Sequence, residues 1–309
     1  MNSKIALFVS SLNAFNLISY LINKNVLSCV VIANKNSADT HNLAQTLTQY
    51  KVAYFLYNQN DTNNLTLLKK ADTNLALSFG FSFKIPQEII DYFKDNIFNI
   101  HASDLPKYRG KNPLFWQLRN GEEKSALSLH KVTQNFDEGE IILKEEFEIN
   151  YQDTFGILNG IVSQLVIKLV ENFLELLNTN SLTTLPQITD ISFAKEVSQK
   201  DIIIDWESMS SLDIYNLTRA CNPIFGGAKT IWKDTMLSIF ESTIIDMDNL
   251  NLEAGTIIHI GSPEGLIITT IDGAIRIDNI SILDGIFSGL RFAKRFNMDI
   301  GEKLSTIKV

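Results

Sequence analysis

KIALFVSSLNAFNLISYLINKNVLSCVVIAN, residues 4–34, decides the fold. In KIALFVS (4–10) a short apolar run stands between polar neighbours, too brief for a helix and suited to a buried strand. SLNAFNLISYLINKN then sets apolar residues at helical spacing, and VLSCVVIAN (26–34) is a second strand. Strand, helix and strand in that order make a parallel pair with the helix as its crossover. The alternation continues outward. NLAQTLTQYKV is helical, VAYFLY a strand, NLTLLKKAD a helix, NLALSFG a strand, 88–95 a short helix and FNIH a strand. Such a series predicts a doubly wound, Rossmann-like, mostly parallel α/β sheet.

The turn after the first strand reads SSLNAF and not GxGxxG, so a nicotinamide or flavin role is not expected. NPLFWQLRNG predicts a helix ending on Gly121, and ALSLHKVTQ (126–134) with EIILKEEFEI predicts an antiparallel pair around the loop NFDEG. A long helix, capped by Asp153 or Thr154, runs from there to about Leu177. The polar, aperiodic stretch NTNSLTTLPQITDISFAKEVSQKD (178–201) reads as a linker. SSLDIYNLTRACN is a capped helix, and TIWK, MLSIFESTII, GTIIHIG, GLIITTIDG and AIRIDNISIL are short β-like runs at close intervals. They predict a small β-rich, OB-like barrel, closed or partly closed. The expected organisation is a catalytic domain at 1–178, a linker at 179–201 and a β-rich C-terminal domain at 202–309.

At 309 residues, 45% hydrophobic and 20% charged, the chain has the composition of an ordinary globular protein of about two domains. A formal charge of −8 disfavours non-specific capture of polyanions. Cys29 and Cys221 are far apart and lack CxxC spacing, so no metal site is expected. Without a leader pattern or about 18 consecutive apolar residues, the expectation is a cytoplasmic protein with no membrane partner.

In NIFNIHASDLPKYRG (96–110), Asn99 and His101 stand two apart at the end of a strand and therefore point the same way. Asp137 lies in the NFDEG loop. Ligands of open α/β sheets gather at the C-terminal ends of strands, near the switch point. A histidine there can act as general base, an aspartate beside it favours the imidazolium, and an asparagine amide can donate to a developing oxyanion. Taken singly, each residue has a plainer reading. An Asn or His near a strand end is more often a turn former or a satisfied polar group, and an Asp before Glu-Gly is ordinary turn chemistry.

Together, NIHASDLPKYRGKNPLFWQLRNGE and SLHKVTQNFDEGEII resemble the 10-formyltetrahydrofolate-dependent formyltransferases, whose signature reads Asn-x-His, SLLPxYRG and Asp-x-Gly. SFGFSFKIPQEII is similar to that family's folate-side strand and loop. IDWESMSSLDIYNLTRACNPIFGGAKT is similar to the opening of the C-terminal domain in methionyl-tRNA formyltransferase and in the aminoarabinose formyltransferase domain. Ala102 stands where the family usually has Pro, Asp104 where it has Leu, and Glu138 where Asp-Thr-Gly is common.

The resemblance implies that an amine attacks the formyl carbon of 10-formyltetrahydrofolate, a cosubstrate, without a metal. Asn99 would donate to the oxyanion, His101 would handle the amine proton or stabilise the oxyanion, and Asp137 would orient His101. Folate is implied to lie against Phe81, Phe83, Ile85 and Pro86, although these rings can equally be core. Ser103, Tyr108, Arg109 and Gly110 are implied to shape the acceptor pocket, with a surface ion pair as the other reading of Arg109.

Methionyl-tRNA enzymes also carry a basic, Gly-rich insertion after the second strand, resembling PDRPAGRGKK. Here the strand runs into ANKNSADTHNLAQTLTQYKV, with Lys35 alone basic before the next helix and no Lys/Arg cluster in 200–260. A nucleotide-linked amino sugar is therefore the first expectation for the acceptor. Methionyl-tRNA and an amino acid-like or siderophore amine stay open, as does a catalytically silent folate- or nucleotide-binding protein. A homo-oligomer built through the C-terminal domain is also open.

Overall fold

A computed structural model describes residues 4–59, 61–247 and 251–308. Contacts divide the chain into two units. The first comprises Met1–Pro113, Lys124–Glu148 and Asn159–Ala194, and the second Leu114–Glu123, Ile149–Leu158 and Lys195–Val309.

In the first unit, strands β1 (Ile5–Val9), β2 (Leu27–Ala33), β3 (Tyr54–Tyr57), β4 (Leu75–Phe79) and β5 (Ile97–His101) alternate with helices α1 (Phe15–Asn23), α2 (Ala38–Gln49), α3 (Asn63–Lys70) and α4 (Gln87–Phe93). After the short strand β6 (Arg109–Gly110) come helix α5 (Pro113–Arg119), which from Leu114 on belongs to the second unit, then β7 (Lys124–Lys131), β8 (Ile141–Glu148), helix α6 (Phe155–Asn178), which belongs to the first unit from Asn159 on, and the short strand β9 (Phe193–Ala194). The sheet order is β3-β2-β1-β4-β5-β7-β8, parallel as far as β5 and antiparallel beyond it. Every residue of β1 is buried, as expected of a central parallel strand covered on both faces. The strand order reverses between β1 and β4, the switch point at which open α/β sheets bind ligands, and there Ser10, after β1, is hydrogen-bonded to Ser82, after β4.

The connection from β2 to α2 is the four residues Asn34 to Ser37, closed by Ser37 Oγ accepting the Thr40 N–H. Thr154 Oγ1 accepts the Ile157 N–H in the first turn of α6, whereas Asp153 accepts that of Asn150. By length and composition α6 is apolar enough to cross a membrane, the one such helix among the described residues. Its Val162, Val166, Leu169 and Phe173, at three- and four-residue spacing, are buried inside the protein. Phe173 packs edge-on against Phe98 at 4.8 Å.

The stretch 179–201 was expected as a linker, yet much of it belongs to the first unit. Leu185 exchanges two backbone hydrogen bonds with Ile141 (2.9 and 2.8 Å), and β9 pairs in parallel with β6. These bonds run through the backbone, so the side-chain pattern carried no sign of them.

The second unit holds α7 (Ser211–Cys221), β10 (Ala228–Trp232), β11 (Thr235–Ile245), β12 (Ile257–Gly261), β13 (Gly265–Thr269), β14 (Ala274–Ile282), β15 (Gly285–Ser288), α8 (Gly289–Arg295) and β16 (Leu304–Ser305). Ser210 and Asp213 form a capping box at the start of α7. The sheet order is β12-β13-β14-β11-β10-β16, with β15 added to β14. Leu304 pairs with Trp232 and also donates to the Gly255 carbonyl (2.8 Å), so the segment around β16 joins both edges and closes the sheet into a barrel.

Candidate active site

Asn99 and His101 lie at the C-terminal end of β5, with Ile100 between them turned into the core at 3% exposure. The antiparallel neighbour β7 sets His130 opposite Asn99 and Ser128 opposite His101. Asp137 sits in the β7–β8 turn with φ +54°, a left-handed conformation that Asp tolerates better than most residues. The structure thus brings Asn99, His101 and Asp137 together.

Asp137 is the hub. Its Oδ1 accepts from Asn99 Nδ2 (3.0 Å) and lies 3.2 Å from His130 Nε2, while Oδ2 accepts the Gly110 N–H (2.8 Å) and lies 3.5 Å from His101 Nδ1. His101 Nε2 is 2.7 Å from the Tyr108 carbonyl. That oxygen can only accept, so Nε2 carries a proton. Nδ1, beside Asp137, is then where the ring gains or loses one. His130 Nδ1 likewise donates to the Lys131 carbonyl (2.8 Å), which leaves Nε2 facing Asn99 Nδ2 at 3.2 Å.

Burial holds His101 below the ordinary imidazole range, and Asp137 with the Tyr108 carbonyl only partly offsets it. Burial would raise the Asp137 carboxyl, but His101, His130 and the Gly110 N–H outweigh it and hold it well below the usual carboxylate range. Both folded-state values are thus lower than in the unfolded chain, which therefore binds protons that the native site refuses. Stability should fall with pH, starting near about 6.5 for the histidine and continuing below about 4 for the aspartate, as one coupled pair. The acid limb of kcat/KM for formyl transfer is expected below about pH 6.5, where a free imidazole would titrate. An acid limb above that value would contradict a buried His101.

The turn that carries Asp137 depends on Gly139. A Cβ there would lie 1.9 Å from the Lys131 carbonyl oxygen, which as backbone cannot step aside. Gly139→Ala is expected to lower stability by about 1–3 kcal/mol in urea unfolding, because the turn must shift to relieve the overlap. An unchanged midpoint would show that the turn yields freely.

The expected acceptor residues surround His101 and Asp137 as supports. Ser103 is fully buried, its Oγ donating to the Lys107 carbonyl (2.7 Å). Tyr108 and Gly110 offer His101 and Asp137 backbone groups. Gly110 has φ +103°, and a Cβ there would lie 2.6 Å from the Ala194 oxygen. Arg109 is buried, not a surface ion pair. Its Nε donates to Gln187 Oε1 (3.0 Å), and a terminal nitrogen is 3.9 Å from Glu138. Asp104 pairs with Lys144 at 2.5 Å.

The Phe81–Pro86 loop follows β4 at the switch point. Phe79 pairs with Ile100, so this loop leaves the sheet one strand over from His101. The Phe81 ring meets Phe8 and Tyr57 edge-on at 5.3 and 5.4 Å, Phe83 packs 6.0 Å from Tyr57, Ile85 is buried, and Pro86 caps α4. Phe81 and Phe83 stay only partly buried. The Ser82 N–H is bound to Ser10 Oγ (2.9 Å), whereas those of Phe81, Phe83 and Lys84 meet no acceptor among the described residues. Backbone donors beside aromatic edges suit a flat heterocycle.

Sequence reasoning missed His130 and Gln187. His130 falls in SLHKVTQNFDEG, on an alternating strand, but its place opposite Asn99 follows from β5 and β7 being neighbours, which the spacing did not give. Gln187 lies in the stretch read as linker.

The formyl transferase family profile matches residues 3–169, and that of the formyl transferase C-terminal domain matches residues 196–296. The chain belongs to the formyl transferase family. As a formyl transferase it is a formyl-transferring enzyme. The methionyl-tRNA formyltransferase of Caldicellulosiruptor saccharolyticus is 31% identical over 242 residues, 77% of this chain and 76% of that protein. The methionyl-tRNA formyltransferase of Desulforamulus reducens is 31% identical over 199 residues, 64% of this chain and 62% of that protein, so the match spans less than two thirds of its length. Among solved structures, the N-formyltransferase of Helicobacter canadensis, in complex with folinic acid and dTDP-3-aminofucose, has the same fold. Its TM-score is 0.68 at 21% identity, covering 89% of this chain and 98% of that one.

Proposed function

We propose that this formyl transferase moves the formyl group of 10-formyltetrahydrofolate to the amine of a small acceptor, a nucleotide-linked amino sugar. The observation that carries the chemistry is the placement of Asn99, His101 and Asp137 at the end of β5, one strand from the switch-point loop. The folate cosubstrate supplies an already activated formyl group, with the Phe81–Pro86 loop to hold it. Asn99 Nδ2 has one hydrogen on Asp137 and a second facing His130 Nε2 at 3.2 Å, and as the formyl oxygen gains charge it takes that second hydrogen in place of His130. As the amine nitrogen bonds to the formyl carbon, its proton passes to His101. The imidazolium is then held between the Asp137 carboxylate and the Tyr108 carbonyl. The same proton returns to the folate N10 as the carbon–N10 bond breaks, so His101 ends as it began. Holding both reactants against fixed donors supplies much of the remaining acceleration.

A small acceptor is supported by the four-residue β2–α2 connection, with Lys35 as its basic residue, and by the net charge of −8. Methionyl-tRNA is the second reading, favoured by the 31% identity to methionyl-tRNA formyltransferases. The test is to incubate the protein with 10-formyltetrahydrofolate and a panel of nucleotide-linked amino sugars, beside initiator methionyl-tRNA, following tetrahydrofolate release and product mass. Formylated sugar is the expected product. Formylated tRNA alone would overturn the acceptor assignment, and no turnover on either would move it to another amine or to a binding role.

A further inference from the structure

We infer that residues 185–194 form a strap across the two active-site loops and that Gln187 within it is a positioning residue for the His101–Asp137 pair. The inference rests on the catalytic reading of that pair given above. The Gln187 side chain uses both of its donor hydrogens and one of its acceptor lone pairs toward the site. Nε2 donates to the carbonyls of Asp137 (2.9 Å) and Gly139 (2.6 Å), and Oε1 accepts from Arg109 Nε (3.0 Å). One amide therefore joins the turn that carries Asp137 to the residue next to Gly110, whose N–H is itself bound to Asp137 Oδ2.

The rest of the strap fixes the other wall. Ser192 Oγ accepts the Tyr108 N–H (2.9 Å), Ser192 O accepts that of Arg109 (2.9 Å), and Ala194 O accepts that of Lys111 (2.8 Å). Tyr108 in turn offers its carbonyl to His101. Tyr108 and Asp137 both hold left-handed backbone, φ +58° and +54°, and such conformations persist only where the surroundings over-determine them. The strap bonds both residues at the backbone.

Asp137 and His130 are the titratable groups facing His101, with Arg109 and Glu138 behind Asp137. Loosening the turn moves the carboxylate away from the imidazole. That weakens the larger of the two influences favouring the imidazolium and leaves the Tyr108 carbonyl against burial and His130, so the histidine becomes harder to protonate.

The test is Gln187→Met in the full chain, a substitution of similar length that adds no charge. Its kcat is expected to fall by about ten- to a hundredfold, as a displacement of catalytic groups by an ångström would cause, with the KM for 10-formyltetrahydrofolate near wild type. The acid limb of kcat/KM and the NMR titration of the His101 ring should both move to lower pH, which a loss of packing alone would not produce. Should Gln187→Met fail to fold, Arg109→Lys, which removes the donor to Gln187 Oε1 and keeps the charge, is expected to shift both readouts the same way and less. Wild-type kcat with an unmoved acid limb in the folded variant would overturn the inference. His101→Ala run beside it separates the two failures. Activity lost there but kept in Gln187→Met removes the strap alone, and activity kept in both removes the catalytic reading and this inference with it.

Discussion

His101→Ala is expected to lower kcat for formyl transfer by about a hundred- to ten-thousandfold, the range that a positioned proton-transfer group supplies. The ring is 6% exposed and sits between a carboxylate and a carbonyl, so an incoming water would have to enter a nearly closed space to replace it. Its removal also takes from Asp137 one of the neighbours that keep the buried carboxylate ionised. The variant should therefore be less stable as well as slow, and its melting temperature belongs beside its rate. With both substrates saturating, tetrahydrofolate release within tenfold of wild type would remove His101 from the chemistry.

Asn99→Ala is expected to cost about a hundred- to a thousandfold in kcat, the usual loss of one oxyanion donor. Its effect differs in kind from that of His101. The acid limb of the pH profile should stay close to its wild-type position, because the proton-accepting nitrogen remains. The cost should fall on kcat more than on KM, since the donor is needed most when the formyl oxygen carries charge. Asn99 also donates to Asp137 and faces His130, so part of the loss arises from a less firmly held carboxylate. A variant that kept its kcat but raised KM would instead make Asn99 a ground-state binding group.

The parallel half of the first sheet was legible because buried strands and amphipathic helices write opposite periods, as in KIALFVS followed by SLNAFNLISYLINKN. Asn99 and His101 were legible because a two-residue step on a strand places both on one side. Other elements were not. Helix α8 is seven residues long and is held by Phe292, buried against Trp232 and Phe287, so its existence depends on packing that no local window contains. His130 is a pairing partner across strands thirty-one residues apart in sequence from Asn99. Gln187 reads as one more polar residue in a Ser- and Thr-rich stretch. In each case what the sequence hides is a neighbour supplied by distant chain.

The strap has a bearing on how the protein can be taken apart. A fragment ending at Asn178, after the last turn of α6, would keep every strand of the parallel sheet together with Asn99, His101 and Asp137. It would lack the partners of Ile141, Arg109 and Lys111, because Leu185, Ser192 and Ala194 lie beyond the cut. Beyond α6, the boundary between the two units falls after Ala194. A homologue or chimera that exchanges C-terminal domains has to inherit the intervening residues with the catalytic half, so this stretch should vary in step with the loops at 105–111 and 137–141 and not with the barrel it leads into.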